Sequence, residues 1–195
     1  MMRTFVLASN NKKKIAEFGT ILTSFSSDIQ VLPISAIDFH GDIEENGTSF
    51  EENSLIKALV PAGMGYIGMA DDSGLTVDAL DGAPGVYSAR FAPEGELCSK
   101  LLSAMQDVPE GQRTARFVTA IALIDADGTL QICEGECCGT IGYEERGTNG
   151  FGYDPVFMYG DRSFAELSAE EKNQVSHRAN ALKKLYEVLK ERYGE

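Results

Sequence analysis

Residues 66–78 read Tyr66-Ile67-Gly68-Met69-Ala70-Asp71-Asp72-Ser73-Gly74-Leu75-Thr76-Val77-Asp78. The apolar run that opens this stretch is typical of a short, largely buried strand. Ser73-Gly74 then predicts a break, so that Asp71 and Asp72 lie where the strand opens into a turn, a common position for sites in α/β proteins. A bare pair of aspartates is more often an exposed acidic turn. Two adjacent carboxylates nevertheless repel each other and are costly to bury, which favours a cation between them, most simply a divalent metal.

The length, composition and net charge of the chain limit the classes of protein to which it can belong. The chain has 195 residues, 43% of them hydrophobic, and a formal net charge of −13. This length predicts a single domain over residues 1–195, with room for two lobes. The charge argues against a nucleic-acid binder, which would need a basic surface. Because no apolar run is long enough to span a membrane and the first nine residues do not fit a signal peptide, we expect a cytoplasmic protein with reduced cysteines.

Three of the four cysteines are close together in the sequence, which raises the question of a zinc site. They are Cys133, Cys137 and Cys138, and the only histidines are His40 and His177. A zinc site would need a second Cys or His pair at the appropriate spacing. The pattern therefore favours buried strand cysteines.

The hydrophobic periodicity predicts a β–α–β arrangement in the first part of the chain and a hairpin later. Predicted strands cover residues 3–9, 30–34, 66–70, 116–124, 129–134 and 135–141, and predicted helices begin near residues 12, 48 and 177. Pro61 predicts a kink or an end of the second helix near residues 57–61, because proline has no amide hydrogen to donate. This order favours a mixed sheet with helices on its faces.

Polar turns precede two of the predicted helices. Ser9-Asn10-Asn11-Lys12-Lys13-Lys14 leads into the first one, whose unpaired amides and positive dipole end suit an anion. Glu44-Glu45 precedes the second helix, on which Asn53 and Lys57 share one face. Either glutamate could supply an oxygen to a metal. Taken alone, each pattern is equally typical of solvated surface charge.

Two further segments, nearer the carboxyl end of the chain, suit a flat, anionic ligand. In Gly150-Phe151-Gly152-Tyr153-Asp154-Pro155, glycines allow the backbone to approach a ligand while one of the aromatic rings stacks on it. Lys172, His177 and Arg178 gather just ahead of the last helix, where contacts to a phosphate or a base would be natural. The alternative for the first segment is an aromatic turn that fills the core.

Together these segments resemble the inosine/xanthosine triphosphate pyrophosphatase (Ham1-like) family. The aspartate-Ser-Gly block and its Gly-Ala-Pro-Gly continuation form the most specific match. At two positions, Asn10 and Asn149 replace glycines that are common in the family. The matching motifs run in family order over nearly the whole chain: Asn11-x-x-Lys14-x-x-Glu17, Phe50-x-Glu52-Asn53-x-x-x-Lys57-Ala58, Ala70-Asp71-Asp72-Ser73-Gly74-Leu75 with Gly82-Ala83-Pro84-Gly85, Gly150-Phe151-Gly152-Tyr153-Asp154-Pro155 and Ser176-His177-Arg178.

The resemblance implies an α/β fold, an elongated mixed β-sheet with flanking helices in two lobes and an active cleft between them. It also implies a homodimeric, Mg²⁺-dependent enzyme that hydrolyses inosine, deoxyinosine and xanthosine triphosphates to the monophosphate and pyrophosphate. Asp72 matches the general base, grouped with Lys57 as catalytic. The metal ligands implied are Asp71, Asp72 and either Glu44 or Glu45. The substrate-binding positions implied are Ser9, Asn10, Asn11, Lys12, Lys13, Lys14, Ser73, Phe151, Gly152, Tyr153, Asp154, Lys172, His177 and Arg178.

Three other classes of function compete with this interpretation. A Maf-like pyrophosphatase would act on other nucleotides, which a panel of triphosphates distinguishes. A non-catalytic nucleotide-binding module would bind inosine triphosphate (ITP) without releasing pyrophosphate. An acidic interaction protein would show no Mg²⁺-dependent thermal stabilisation by a nucleotide.

Overall fold

The computed structural model describes residues 3–193, without the side chain of Tyr193. Met1 and Met2, two of the nine residues from which a signal peptide was judged absent, lie outside this range. The described chain forms strands and helices in the order β1 (Arg3–Leu7), α1 (Lys12–Phe25), β2 (Ile29–Pro33), α2 (Phe50–Gly63), β3 (Ile67–Val77), α3 (Leu97–Ala104), β4 (Thr114–Ile124), β5 (Leu130–Ile141), β6 (Phe157–Tyr159), β7 (Arg162–Ser163), α4 (Ala169–Val175) and α5 (His177–Tyr193). Within residues 3–193, no helix has the length and apolar character that a membrane crossing requires.

Over the described residues, the strands form one seven-stranded sheet in the order β2-β1-β3-β4-β5-β6-β7. β1 pairs in parallel with both β2 and β3, with Val6 opposite Leu32 on one side and Gly68 on the other. β5 and β6, and then β6 and β7, pair antiparallel. The predicted mixed sheet with flanking helices is therefore confirmed.

The chain divides into two compact units, each with its own apolar core. Unit 1 contains the chain up to Asp72, the segment Thr119–Gly135 and the chain from Ala179 onwards, and unit 2 contains Ser73–Val118 and Glu136–Arg178. The core of unit 1 includes Phe5, Leu7, Phe18, Leu22, Met69 and Leu182. The core of unit 2 includes Leu75, Leu101, Phe117, Val156, Phe157 and Phe164.

Side-chain caps fix where the first two helices begin. The Asn11 carboxamide oxygen accepts hydrogen bonds from the amides of Lys13 and Lys14, at 3.0 and 3.2 Å, so α1 begins at Lys12 as predicted. For α2 the cap is Ser49, whose hydroxyl accepts from the Glu52 amide at 3.2 Å. The sequence predicts a helix start near residue 48, one residue before this cap.

The sequence predicts that the second helix kinks or ends near residues 57–61. The predicted end is wrong, since α2 continues through Pro61 to Gly63. Ala58 and Pro61 are both buried. A Cβ atom at Gly68 of β3 would collide with the carbonyl oxygen of Ala58, so glycine is what lets this helix approach so closely. We attribute the continuation of the helix to this packing, which offsets the hydrogen bond that proline cannot make.

Two strands are longer than the sequence predicts. β3 does not break at Ser73-Gly74 but runs to Val77, so Asp71 and Asp72 lie in mid-strand and not at a turn. The turn comes after Asp78, where Asp81 adopts a left-handed conformation with φ of 51°. β5 is likewise one strand over Leu130–Ile141 and not two. In both strands, side chains on either side of the glycine are buried, successively in β3 and alternately in β5. This burial extends each strand past the glycine at which the sequence predicts a break.

All four cysteines lie in the described residues and are free. The prediction of buried strand cysteines holds for Cys133 and Cys137 of β5 but is wrong for Cys138, which is exposed. Burial raises the pKa of the Cys137 thiol to about 11, and that of Cys98 in α3 to about 11 as well. These two thiols are therefore protonated at neutral pH.

We expect iodoacetamide to alkylate Cys138 alone in the native protein at mildly alkaline pH. Only the thiolate reacts, and burial, which also raises the pKa values of Cys98, Cys133 and Cys137, keeps these three thiols from reacting. Peptide mass spectrometry measures the modification, and alkylation of all four cysteines in denaturant is the control. Native modification of Cys98 at the rate of Cys138 would contradict this expectation.

Candidate functional site

In unit 1, the two aspartates of β3 are buried, and each contacts its own partners. Asp71 is 3% exposed and Asp72 is 8% exposed. Asp71 Oδ1 lies 3.0 Å from Nζ of Lys14, in the first turn of α1. Asp72 Oδ1 lies 3.1 Å from Nζ of Lys57, in α2. Each carboxylate thus has a lysine from a different helix within ion-pair distance.

Three polar groups hold Asp72. In addition to Lys57, the Asn53 amide donates to Oδ2 at 3.1 Å. The predicted shared face of Asn53 and Lys57 on α2 is confirmed, since both side chains reach the same carboxylate. The hydroxyl of Thr119 in β4 donates to the main-chain carbonyl of Asp72 at 3.2 Å.

Glu45 also belongs to this group, whereas Glu44 is exposed. Glu45 Oε2 accepts a hydrogen bond from Lys57 Nζ at 2.8 Å, so one ammonium joins Glu45 to Asp72. We call Lys14, Glu45, Lys57, Asp71 and Asp72 the carboxylate–lysine cluster. Among residues 3–193, no three histidine, cysteine or acidic side chains are grouped so that they alone could hold a metal ion.

The carboxylate–lysine cluster shifts the pKa values of Asp72 and Glu45 in opposite directions. Burial, together with the charge of Glu45, raises the pKa of Asp72 despite the opposing effect of Lys57 and Asn53. Burial also tends to raise the pKa of Glu45, but hydrogen bonds to Lys57 and Asp72 and the charge of Lys57 outweigh it and lower that pKa. Burial tends to lower the pKa of Lys57, yet Asp72, Asp71 and Glu45 raise it. Asp72 is thus the carboxylate of this pair that takes up a proton more readily.

The turn before α1 uses most of its polar groups locally. Ser9 Oγ accepts from the amide of Asn11 at 3.1 Å, and Asn10 Oδ1 accepts from the amide of Ser35 at 3.2 Å. The side chains of Lys12 and Lys13 are exposed. Lys14, the last of the predicted residues in this turn, donates a hydrogen bond to Asp71 of the carboxylate–lysine cluster.

In unit 2, a buried ion pair supports the turn that carries Phe151. Asp154, 2% exposed, accepts from Nζ of Lys172 at 2.7 Å and from the amide of Phe151 at 2.9 Å. Lys172 Nζ lies 4.9 Å from the centre of the Phe151 ring, within the range of a cation–π contact. The capping box formed by Ser168 and Glu171 fixes the start of α4, which carries Lys172.

His177 and Arg178, at the start of the last helix, are buried in the same unit. Arg178 Nη2 donates to the hydroxyl of Ser73 at 3.2 Å, and its guanidinium lies 6.0 Å from the centre of the Phe151 ring. The His177 ring stacks on Phe117 with 4.9 Å between ring centres. We call Phe151, Asp154, Lys172, His177 and Arg178 the aromatic–basic cluster.

The two aromatic residues of the Gly150–Pro155 turn, Phe151 and Tyr153, lie in different environments. Tyr153 is 4% exposed, and its hydroxyl donates to the carbonyl of Ser88 at 2.7 Å. The Gly152 carbonyl accepts from the Cys98 thiol at 3.3 Å. Tyr153 therefore anchors the turn within unit 2, and Phe151 is the ring that remains partly exposed.

Sequence reasoning did not single out Thr119, which is fully buried. Its only signal is a hydroxyl within an otherwise apolar run of β4. Asn53 was placed on the correct face of α2, but its partner could not be read from the sequence. Its contact with Asp72 joins residues that are 19 positions apart.

Known proteins of one family match this chain over almost its full length. The model of the Ham1 family matches residues 5–188. A curated dITP/XTP pyrophosphatase of Desulforamulus reducens is 46% identical and is aligned over 96% of both chains. One of Bacillus subtilis is 42% identical, with 97% of this chain and 98% of the relative covered.

Solved structures show the same architecture. A HAM1 protein from Coxiella burnetii superposes with a TM-score of 0.86 at 42% identity, covering 97% of this chain and 100% of that one. The Ham1 protein of Staphylococcus aureus gives 0.84 at 39% identity, with the same coverage. These values establish both common ancestry and a common fold.

Proposed function

Because the chain belongs to the Ham1 family, we propose that it hydrolyses inosine, deoxyinosine and xanthosine triphosphates to the nucleoside monophosphate and pyrophosphate. The curated relatives are named for this activity on dITP and XTP. The observation that carries the proposal is the buried Asp72, whose pKa is raised and whose two carboxylate oxygens are held by Lys57 and Asn53. Such a carboxylate is suited to accept a proton from water.

Three residues of the carboxylate–lysine cluster act directly on water, the general base or the phosphates in the proposed reaction. Asp72 takes the proton of the attacking water, and Lys57 fixes the orientation of that carboxylate. Lys14, at the start of α1, binds a phosphate oxygen together with the polar turn before it. These ammonium groups let a protein with a net charge of −13 accept a polyanion.

The residues of unit 1 fit a Mg²⁺ ion, the cofactor we propose. Mg²⁺ keeps several waters and is held by one or two carboxylates plus substrate phosphates, so a third acidic ligand is not required. Glu45 and Asp72, which adjoin through Lys57, are the two carboxylates best suited to hold it, whereas the exposed Glu44 has no such contact among the described residues. When bound, the ion neutralises phosphate charge and polarises the reacting phosphoryl group.

We assign recognition of the base to the aromatic–basic cluster. Phe151 stacks on the purine ring, and the cationic donors Lys172 and Arg178 favour a 6-keto oxygen. Adenine would present an amino group to these donors and leave them unpaired, which costs several kcal/mol in order of magnitude. A preference for ITP over ATP follows.

We further propose that the whole chain acts as one catalytic domain, and as a homodimer in the cytoplasm. The family resemblance in the motifs supports these points. Size-exclusion chromatography with light scattering tests the dimer.

The proposed function is tested by incubating the protein with Mg²⁺ and each of ITP, dITP, XTP, uridine triphosphate and ATP. We expect pyrophosphate from the first three and little turnover of the others. Orthophosphate as the sole product, or equal rates on ATP, would refute the proposal. Binding of ITP without pyrophosphate release would identify a non-catalytic binding module.

The raised pKa of Asp72 predicts the acid side of the pH profile. A general base works only when ionised, so kcat/KM declines as the pH falls through this pKa, at a higher pH than for an aspartate of ordinary pKa, 3.8. In Glu45→Gln, which removes a charge that raises this pKa, the decline should move to lower pH. Initial rates over a pH series measure it, with circular dichroism as the folding control. An unmoved acid limb in Glu45→Gln would contradict the assignment.

A further inference from the structure

Asn53 links the Asp72 carboxylate to the segment that carries Glu45. It lies in the first turns of α2 and is 1% exposed. Its Nδ2 donates to Asp72 Oδ2 at 3.1 Å, and its Oδ1 accepts from the main-chain amide of Gly47 at 2.8 Å. Gly47 follows Glu45 by two residues, so one carboxamide contacts both Asp72 and the main chain of the segment that carries Glu45.

The Gly47 contact determines which end of the carboxamide faces Asp72. A backbone amide can only donate, so the atom facing it must be the carboxamide oxygen, and the NH₂ group is left for Asp72. A carboxylate oxygen that receives this hydrogen bond is held as an acceptor. No charged residue could satisfy both partners, since a lysine cannot accept and an ionised aspartate cannot donate.

The approach of the segment to α2 requires glycine at position 47. A Cβ atom there would lie 2.7 Å from Oδ1 of Asn53 and 2.7 Å from Cβ of Glu52, closer than real Cβ atoms come. The main chain therefore comes directly onto the Asn53 side chain. Lys57, one helical turn further along, makes the second connection, from Asp72 Oδ1 to Glu45 Oε2 at 3.1 and 2.8 Å.

We infer that Asn53 is a positioning residue for the hydrolysis: its carboxamide orients the Asp72 carboxylate and fixes the Glu45 segment against it. The two oxygens of Asp72 are then held by different groups, Lys57 through a charge and Asn53 through a neutral hydrogen bond. This inference rests on the proposed function, because it matters for turnover only if Asp72 is the base.

Two substitutions separate the two hydrogen bonds. Asn53→Asp keeps an acceptor for the Gly47 amide but turns a carboxylate toward Asp72, whereas Asn53→Leu removes both bonds at similar size. We expect kcat for ITP to fall by about 10- to 100-fold in both variants, with KM changed by less than about threefold, as is typical when a supporting hydrogen bond is lost. The matched control is Ser54→Ala, a buried neighbour whose hydroxyl donates to the Glu51 carbonyl, and it should keep the wild-type kcat.

Amide hydrogen exchange at Gly47 tests the geometry without any turnover. The amide should be protected in the wild type and in Asn53→Asp, and should exchange faster in Asn53→Leu. An unprotected Gly47 amide in the wild type, or a kcat of Asn53→Asp within threefold of the wild type, would overturn the inference. If the wild type releases no pyrophosphate from ITP, the proposed function fails, while exchange at Gly47 still decides whether this link exists.

Discussion

Replacement of Asp72 with asparagine should lower kcat for ITP by about 10²- to 10⁴-fold, the usual contribution of a general base. The amide cannot take a proton from water at neutral pH. In the wild-type protein, Lys57 and Asn53 each donate to one of the two carboxylate oxygens of Asp72. The asparagine presents its NH₂ group to one of these two donors, so that two donors face each other. Both changes act on the reacting group, so we expect the loss in kcat and not only in KM.

The same substitution should leave the fold intact. Burial already disfavours the charged form of Asp72, as its raised pKa indicates, so a neutral amide of equal size relieves part of that cost. Lys57 keeps its ion pair with Glu45. Thermal melts and pyrophosphate release measure stability and rate, and Asp161→Asn, in the exposed turn between β6 and β7, is the matched control. Near-normal turnover by Asp72→Asn with Mg²⁺ present would mean that another group is the base.

Local signals in the sequence were enough where a strong periodic pattern met a cap. Residues 12–25 form α1, which begins where predicted, because Asn11 caps a regular apolar stripe that includes the buried Phe18 and Leu22. The start of α5 at His177 was predicted from the helical spacing of its apolar residues alone. These features depend on neighbours a few positions away, which the sequence displays directly.

Glycine signals misled where packing between distant segments decides the conformation. Ser73-Gly74 was taken as a strand break and Gly135 as the start of a new strand, yet both positions lie inside continuous strands. At Gly139 of β5, a Cβ atom would collide with the carbonyl oxygen of Met158 and crowd the ring of Phe157. A glycine within a strand thus marks the close approach of another segment as often as a turn, and only the tertiary structure distinguishes the two.

The candidate site shows the same division. Spacing on α2 placed Asn53 and Lys57 on one face, but not their partner. The pairing of Lys14 with Asp71 joins residues 57 positions apart, and the choice of Glu45 over Glu44 as the partner of Lys57 depends on how the segment before α2 folds back. Such pairings follow from long-range packing, so a single sequence reveals the chemistry of the groups more readily than their partners.

The second large effect is expected at the Asp154–Lys172 ion pair of unit 2. Asp154→Ala should lower the free energy of unfolding by about 3–5 kcal/mol, because it leaves the ammonium of Lys172 buried without its carboxylate. The side chains are 3% and 10% exposed, so water compensates little of the loss. The Phe151 amide loses its acceptor as well. Urea unfolding measures the change, and Glu170→Ala on the exposed side of α4 is the control.

A double variant distinguishes the stabilising role of this pair from its role in recognition. Asp154→Asn with Lys172→Met removes both charges and keeps an acceptor for the Phe151 amide, so most of the unfolding free energy should return. The preference for ITP over ATP should nevertheless be weaker than in the wild type, because Lys172, one of the two cationic donors assigned to the 6-keto oxygen, is gone. A variant that is stable yet less selective would assign Lys172 to the base. Recovery of both stability and selectivity would instead restrict this ion pair to holding the Phe151 turn in place.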